Sequence, residues 1–211
     1  MKAERSLFSP ILVSLALTLP AGLLPPAFSA QGSAGSVPLN KIYSKMPSYQ
    51  TSSGSFSSGI LLVDLDKDGY DDLVLSNGID VTPQPLAVYY NRLSSPGGTL
   101  FGQWPNWYSQ RIGYQVAVAS GDLNQDGWLD LIVLEAYNLR HEVGSGGFAV
   151  LRNDGKGSFV FSGRIPISGS LPLGCTLADV DADGDLDLAV AVYTEKPGSI
   201  LLPGRGRVYL N

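Results

Sequence analysis

Asp64-Leu-Asp-Lys-Asp-Gly-Tyr-Asp-Asp72 decides the fold of this chain, because it occurs three times. The second copy is Asp122-Leu-Asn-Gln-Asp-Gly-Trp-Leu-Asp130 and the third Asp179-Val-Asp-Ala-Asp-Gly-Asp-Leu-Asp187. The starts lie 58 and 57 residues apart, and each copy runs straight into an apolar tetrad: Leu73-Val-Leu-Ser76, Leu131-Ile-Val-Leu134 and Leu188-Ala-Val-Ala191. A weaker repeat keeps step with it. Ala87-Val-Tyr-Tyr-Asn91, Ala149-Val-Leu-Arg-Asn153 and Arg207-Val-Tyr-Leu-Asn211 end 62 and 58 residues apart. Two motifs in one order at nearly one spacing define a single structural unit used three times.

Each unit reads as β. Before the acidic loops stand Gly59-Ile-Leu-Leu-Val63, Val116-Ala-Val-Ala119 and Cys175-Thr-Leu-Ala178. The apolar tetrad after each loop is a second strand, and the Ala-Val-type segment a third. In the second unit the turn Asn153-Asp-Gly-Lys-Gly157 leads to fourth-strand material in Ser158-Phe-Val-Phe161 and Arg164-Ile-Pro-Ile167. Asn-Asp-Gly and Gly-Lys-Gly supply the positive φ of such turns. No segment holds a capped apolar period of 3.6 residues. Four short strands per unit predict an all-β fold of β-propeller blades, each a four-stranded antiparallel sheet. The expected bounds are 59–115, 116–172 and, for a partial third blade, 173–211, so that the chain holds about 2.5–3 blades of an incomplete ring. Asn211, the equivalent of Asn153, is the last residue, which suggests a piece of a longer chain.

The loops carry the chemistry. Asp or Asn stands at positions 1, 3, 5 and 9, and Gly at position 6. Oxygens at 1, 3 and 5 converge in a tight loop, Gly permits the turn, the carbonyl at 7 faces the same point, and the carboxylate at 9 closes the cage. The expected ligands are Asp64, Asp66, Asp68, Tyr70 and Asp72 in the first loop, and Asp122, Asn124, Asp126, Trp128 and Asp130 in the second. In the third they are Asp179, Asp181, Asp183, Asp185 and Asp187. All-oxygen cages of this kind suit Ca²⁺ better than Mg²⁺, which demands a stricter octahedron; about three Ca²⁺ sites are expected. Thirteen of the 19 acidic residues lie in these segments, an arrangement of like charge that a bound cation relieves. Solvated Asx turns are the plainer reading of the same residues. An EF-hand needs Glu at position 12 and flanking helices; here position 12 is Leu75, Val133 and Val190, between β-prone runs.

The stretch Gly113-Tyr-Gln-Val-Ala-Val-Ala-Ser-Gly-Asp-Leu-Asn-Gln-Asp-Gly-Trp-Leu-Asp-Leu-Ile-Val133 resembles an FG-GAP repeat of the integrin α-chain propeller type. The Asp-x-Asp-x-Asp-Gly loops with Asn153-Asp-Gly-Lys-Gly-Ser-Phe159 resemble equally the VCBS repeats of secreted bacterial proteins. The likeness covers about residues 55–211. It implies blades whose loop between the first and second strands binds Ca²⁺. Asn124 stands where the pattern has a carboxylate. Gly113-Tyr114 and Glu135-Ala-Tyr137 replace the Phe-Gly and Gly-Ala-Pro signatures, which leaves the choice between the two repeat types open.

Lys2 and Arg5, the apolar run Ile11–Leu19 and the small-x-small site Ala27-Phe-Ser29 form the three-part pattern of a secretory signal peptide over residues 1–29. Pro10, Pro20, Pro25 and Pro26 interrupt what a membrane anchor would need, so no stable span is expected after cleavage. Residues 30–58 read as a flexible Ser/Gly/Pro-rich lead-in, in which Leu39–Tyr49 admits one strand. A net charge of −5 argues against nucleic acid as a partner. The single His141 and single Cys175 leave no room for a histidine-rich metal site or an internal disulfide. Cys175 reads as a small core side chain, His141 as a solvated loop residue, and Arg205 and Arg207 as solvent-facing turn residues. The aromatic run Phe101-Gly-Gln-Trp-Pro-Asn-Trp-Tyr108 reads either as a packed outer strand or as a surface for sugar or protein.

These features point to a secreted or extracytoplasmic, Ca²⁺-binding repeat module, cell surface included, that serves binding or adhesion toward an extracellular protein or carbohydrate. No catalytic residue is expected. The alternatives are the propeller portion of a secreted polysaccharide-degrading enzyme, with its catalytic part outside this chain, and a structural spacer.

Overall fold

A computed structural model describes residues 46–52, 54–78, 82–136, 146–167, 170–195 and 202–211. The expected signal peptide, most of the lead-in and His141 lie outside the described residues. The chain divides into two units, Met1–Met46 and Pro47–Asn211, and the strands all belong to the second. Among the described residues there is no helix, hence none long and apolar enough to cross a membrane.

Three antiparallel sheets follow one another along the chain. The first runs in sequence order: β1 (Ser57–Val63), β2 (Asp72–Asn77), β3 (Gln84–Tyr89) and β4 (Trp107–Gly113). The second repeats that order with β5 (Gln115–Gly121), β6 (Asp130–Glu135), β7 (Gly147–Asn153) and β8 (Phe159–Pro166). In the third, β9 (Ser170–Ala178) pairs β10 (Asp187–Glu195), whose other edge takes both β11 (Leu202–Pro203) and β12 (Gly206–Tyr209). β11 and β12 are thus one third-strand position, interrupted at Gly204, whose N–H donates to the Tyr193 carbonyl at 2.9 Å. A Cβ at Gly204 would collide with the Val192 carbonyl. None of the sheets closes on itself, and their sequence is that of an incomplete propeller.

The apolar tetrads after the loops are explained by stacking. Strands alternate faces, and β2 and β6 are buried at all six positions because both of their faces are covered. Val74, Leu86 and Val88 of the first sheet pack with Leu131, Val133, Leu151 and Phe159 of the second. The opposite face of the second sheet, Ile132, Leu134 and Phe148, packs with Leu188, Val190 and Val192 of the third. The outward face of the first sheet, Leu73, Leu75, Ala87 and Tyr89, is covered by Tyr49 and Phe101. The Tyr49 ring lies 5.1 Å from that of Phe101, and its hydroxyl donates to the Gly102 carbonyl at 2.6 Å.

Several local readings change. Tyr49 lies in a non-strand segment and acts as a lid on the first sheet. The two pieces of fourth-strand material in the second unit are one strand, β8, which carries a register shift opposite Val150/Leu151 and passes through Ser162-Gly163. The aromatic run serves three ends: Phe101 covers, Trp107 packs edge-on against Phe159 with ring centroids 5.2 Å apart, and Trp104 stays in solvent. Arg207 lies within β12 and donates from Nη2 to Ser170 Oγ at 2.8 Å, whereas Arg205 is exposed in the preceding turn. Cys175 sits in β9 against the second core cluster, and burial pushes its thiol up to about 11.

Candidate metal centres

The three acidic loops connect first strands to second strands, β1 to β2, β5 to β6 and β9 to β10. Their backbones share one conformation. Gly69, Gly127 and Gly184 at position 6 have φ of 88°, 87° and 98°. The residue at position 4 is left-handed too: Lys67, Gln125 and Ala182 have φ of 60°, 57° and 62°. A left-handed non-glycine residue costs on the order of 1–2 kcal/mol, and this one recurs at the same place in every loop. Sequence alone pointed to position 6; nothing in the residue types at position 4 distinguishes it.

The side chains fold back onto the loop in the same way each time. Position 1 accepts from the N–H of position 6: Asp64 from Gly69 at 2.9 Å, Asp122 from Gly127 at 2.8 Å, Asp179 from Gly184 at 3.1 Å. Position 5 accepts from the N–H of position 7: Asp68 from Tyr70, Asp126 from Trp128 and Asp183 from Asp185, at 2.8–3.0 Å. These bonds aim the carboxylates inward before any ion arrives.

Position 9 opens the second strand and is buried. Asp72, Asp130 and Asp187 are at most 2% exposed. One oxygen of each accepts the N–H of position 2: Leu65 at 2.9 Å, Leu123 at 3.3 Å, Val180 at 2.9 Å. The other accepts the N–H of the asparagine ending the third-strand motif: Asn91 at 2.8 Å, Asn153 at 2.8 Å, Asn211 at 3.0 Å. Those asparagines are part of the site's scaffold, a role their recurrence in the weaker repeat signals.

Carboxylate oxygens of Asp64, Asp66 and Asp72 lie within 4.8 Å of one another, and so do those of Asp179, Asp181 and Asp187. Asp68 stands outside the first triad; its Oδ2 accepts from Ser94 Oγ at 2.6 Å. Asp66 Oδ2 pairs with Arg92 at 2.8 Å, but its Oδ1 is buried with no hydrogen-bond partner. In the second loop Asn124 donates from Nδ2 to Asp126 Oδ2 at 2.9 Å, and among the described residues no acidic triad forms there. An all-oxygen set with an unpaired buried oxygen fits a hard divalent cation.

The crowding shows in the acidities. Desolvation pushes the Asp72 carboxyl up to about 6 against the pull of the Asn91 and Leu65 N–H groups, with Asp66 and Asp68 adding to the rise. Desolvation raises Asp130 as well, helped by Asp126 and Asp122. Asp181 is raised by desolvation and then by Asp183, Asp187 and Asp179. Asp68 and Asp126 move the other way, under the Ser94 hydroxyl and the Trp128 N–H respectively.

A stability slope follows. Between pH of about 4 and 6 the folded Asp72 keeps a proton that the unfolded chain has lost, so rising pH destabilises the fold through this window. In chelator, melting is expected to be higher at pH 5 than at pH 7.5, by about 1.4 kcal/mol of stability from Asp72. Asp72→Asn is expected to flatten the slope. A metal-free fold whose stability climbs from pH 4 to 6 contradicts this account.

Stacked antiparallel sheets with a repeated acidic loop at one strand junction define a propeller-type repeat protein. The profile of the FG-GAP-like repeat matches residues 64–133 and 138–190, and the chain belongs to that family. The matched segments contain all three loops. Among curated proteins no sequence matches the chain.

Proposed function

We propose that this chain is a secreted Ca²⁺-binding propeller module serving binding or adhesion toward an extracellular protein or carbohydrate. The observation that carries the reading is the first loop, where three carboxylates converge and Asp66 Oδ1 is buried without a partner. The ligand set is the one named from sequence: Asp64, Asp66, Asp68, the Tyr70 carbonyl and Asp72, with the equivalent residues of the other loops. Ca²⁺ would neutralise the clustered charge and hold each first strand to its second. The expected partners rest on the family's repeats and on the export pattern of residues 1–29.

Calorimetric titration of the exported chain tests the metal. About three Ca²⁺ sites are expected, with Mg²⁺ much weaker because its octahedron is stricter. Equal affinity for the two ions, or no heat from Ca²⁺, overturns the reading. Export is read separately: secreted material should begin near Ala30, and an intact Met1 in the membrane fraction overturns cleavage.

A further inference from the structure

The three loops are joined to one another, and the joints recur. Lys67, at position 4 of the first loop, places Nζ 4.2 Å from the ring centroid of Trp128, at position 7 of the second. Gln125, at position 4 of the second loop, donates from Nε2 to Asp185 Oδ1, at position 7 of the third, at 2.7 Å. The same two loop positions meet at both sheet boundaries, although one contact is a cation over an indole and the other a hydrogen bond. Position 4 is the left-handed residue, so its side chain leaves the loop between positions 3 and 5. Position 7 is the residue whose N–H holds the position-5 carboxylate of its own loop, Asp126 for Trp128 and Asp183 for Asp185. Each joint therefore runs from the middle of one ligand set to the support of the next.

A second connection links the first two loops beneath the surface. The Leu65 N–H donates to Asp72 Oδ2 at 2.9 Å, and the Leu65 carbonyl accepts from Asn153 Nδ2 at 3.0 Å. The Asn153 N–H in turn donates to Asp130 Oδ1 at 2.8 Å. The two buried position-9 carboxylates, one per loop, are thus both bonded to a path made of the backbone of one residue, Leu65, and one asparagine, Asn153.

We propose that Lys67 and Gln125 are positioning residues that couple neighbouring loops, so that filling the first loop raises the Ca²⁺ affinity of the second, and filling the second that of the third. This rests on the Ca²⁺ reading of the loops. The first coupling is the stronger, having both the Lys67–Trp128 contact and the buried path. At the third loop position 4 is Ala182, whose methyl is too short to make such a joint.

The test is a double-mutant cycle on the full exported chain, read by the indole N–H resonance of Trp128 during Ca²⁺ titration. Lys67 and Gln125 are exposed, so Lys67→Met and Gln125→Met are expected to fold. Asp64→Asn weakens the first loop. In the parent chain Asp64→Asn is expected to lower the second loop's affinity by about 5- to 150-fold, the usual span of coupling between sites. In the Lys67→Met background that loss is expected to shrink several-fold, and Lys67→Arg, which keeps the cation over the ring, to restore it. Gln125→Met is expected to leave the first-to-second coupling intact and to separate the third loop. A second loop whose affinity ignores Asp64→Asn overturns the coupling while leaving Ca²⁺ binding in place. An Asp64→Asn loss identical with and without Lys67 overturns the role of Lys67. If no Ca²⁺ binds to the parent chain, the metal reading falls first and the coupling with it.

Discussion

Ca²⁺ added to the metal-free chain is expected to raise its melting temperature by roughly 10–20 °C, and EDTA to reverse the rise. A ligand present at about 100 times its dissociation constant, and bound by the folded chain alone, stabilises by about 2.7 kcal/mol per site. Two well-filled sites give about 5 kcal/mol, and each kcal/mol moves the melting point of a domain this size by roughly 2–4 °C. The unfolded chain competes poorly, since positions 1 and 9 of each loop meet only when the first and second strands pair. The metal-free fold also keeps Asp72 desolvated among neighbouring carboxylates, a repulsion the ion removes. Asp68→Ala, Asp126→Ala and Asp183→Ala are each expected to delete part of the Ca²⁺ increment. Substitution of Glu142, which belongs to none of the loops, is expected to leave it whole. A metal-free preparation whose melting does not respond to added Ca²⁺ returns the loops to plain Asx turns.

Glu135→Ala is expected to cost about 3–5 kcal/mol, the usual loss when one partner of a buried ion pair is removed. That is roughly 6–20 °C in melting temperature. Glu135 ends β6 and its side chain is 5% exposed. Arg111 of β4 donates to it from Nε at 3.0 Å and from Nη2 at 3.1 Å, and Arg164 of β8 from Nε at 2.8 Å. One carboxylate thus holds arginines from two different sheets. Removing it takes from both guanidinium groups the carboxylate they share. Arg111 is 44% exposed along its side chain and can turn to water, so Arg111→Met is expected to cost less than Glu135→Ala. Chemical denaturation of the three proteins checks the ranking. Glu135→Ala within about 0.5 kcal/mol of the parent means the triad is a surface ornament.

Fold and loops were legible in the sequence because both are local and both are repeated. Gly at position 6, oxygens at alternate positions and a following apolar tetrad are short-range facts, and three copies in register remove the ambiguity of each. The fourth strands were harder. β8 crosses Ser162-Gly163, a pair that reads as a break, by bulging one residue opposite Val150 and Leu151 of β7. Pairings between sheets left no local trace. Glu135 meets Arg111 of the first sheet, 24 residues away, and Asn153 reaches a carbonyl 88 residues back. Such contacts depend on how one sheet lies on the next, which residue periodicity does not encode. The Asn of the third-strand motif was visible as a recurring letter. Its backbone N–H serves the buried position-9 carboxylate. What asks for Asn in the first two copies is the side-chain Nδ2 bond to the position-8 carbonyl, Asp71 for Asn91 and Leu129 for Asn153. That bond emerges only when the third strand is laid beside the second.

The stacking of Leu131 and Val133 on one side of β6, with Ile132 and Leu134 on the other, makes the second sheet common property of both apolar layers. Among the described residues, unfolding the first or the third sheet dissolves one of these two inter-sheet layers; unfolding the second dissolves both. In such a nearest-neighbour array the ends open first and the centre last. Amide protons of β6 should therefore exchange with solvent more slowly than their counterparts in β2 and β10. Damage to β6 disturbs the packing on both of its faces.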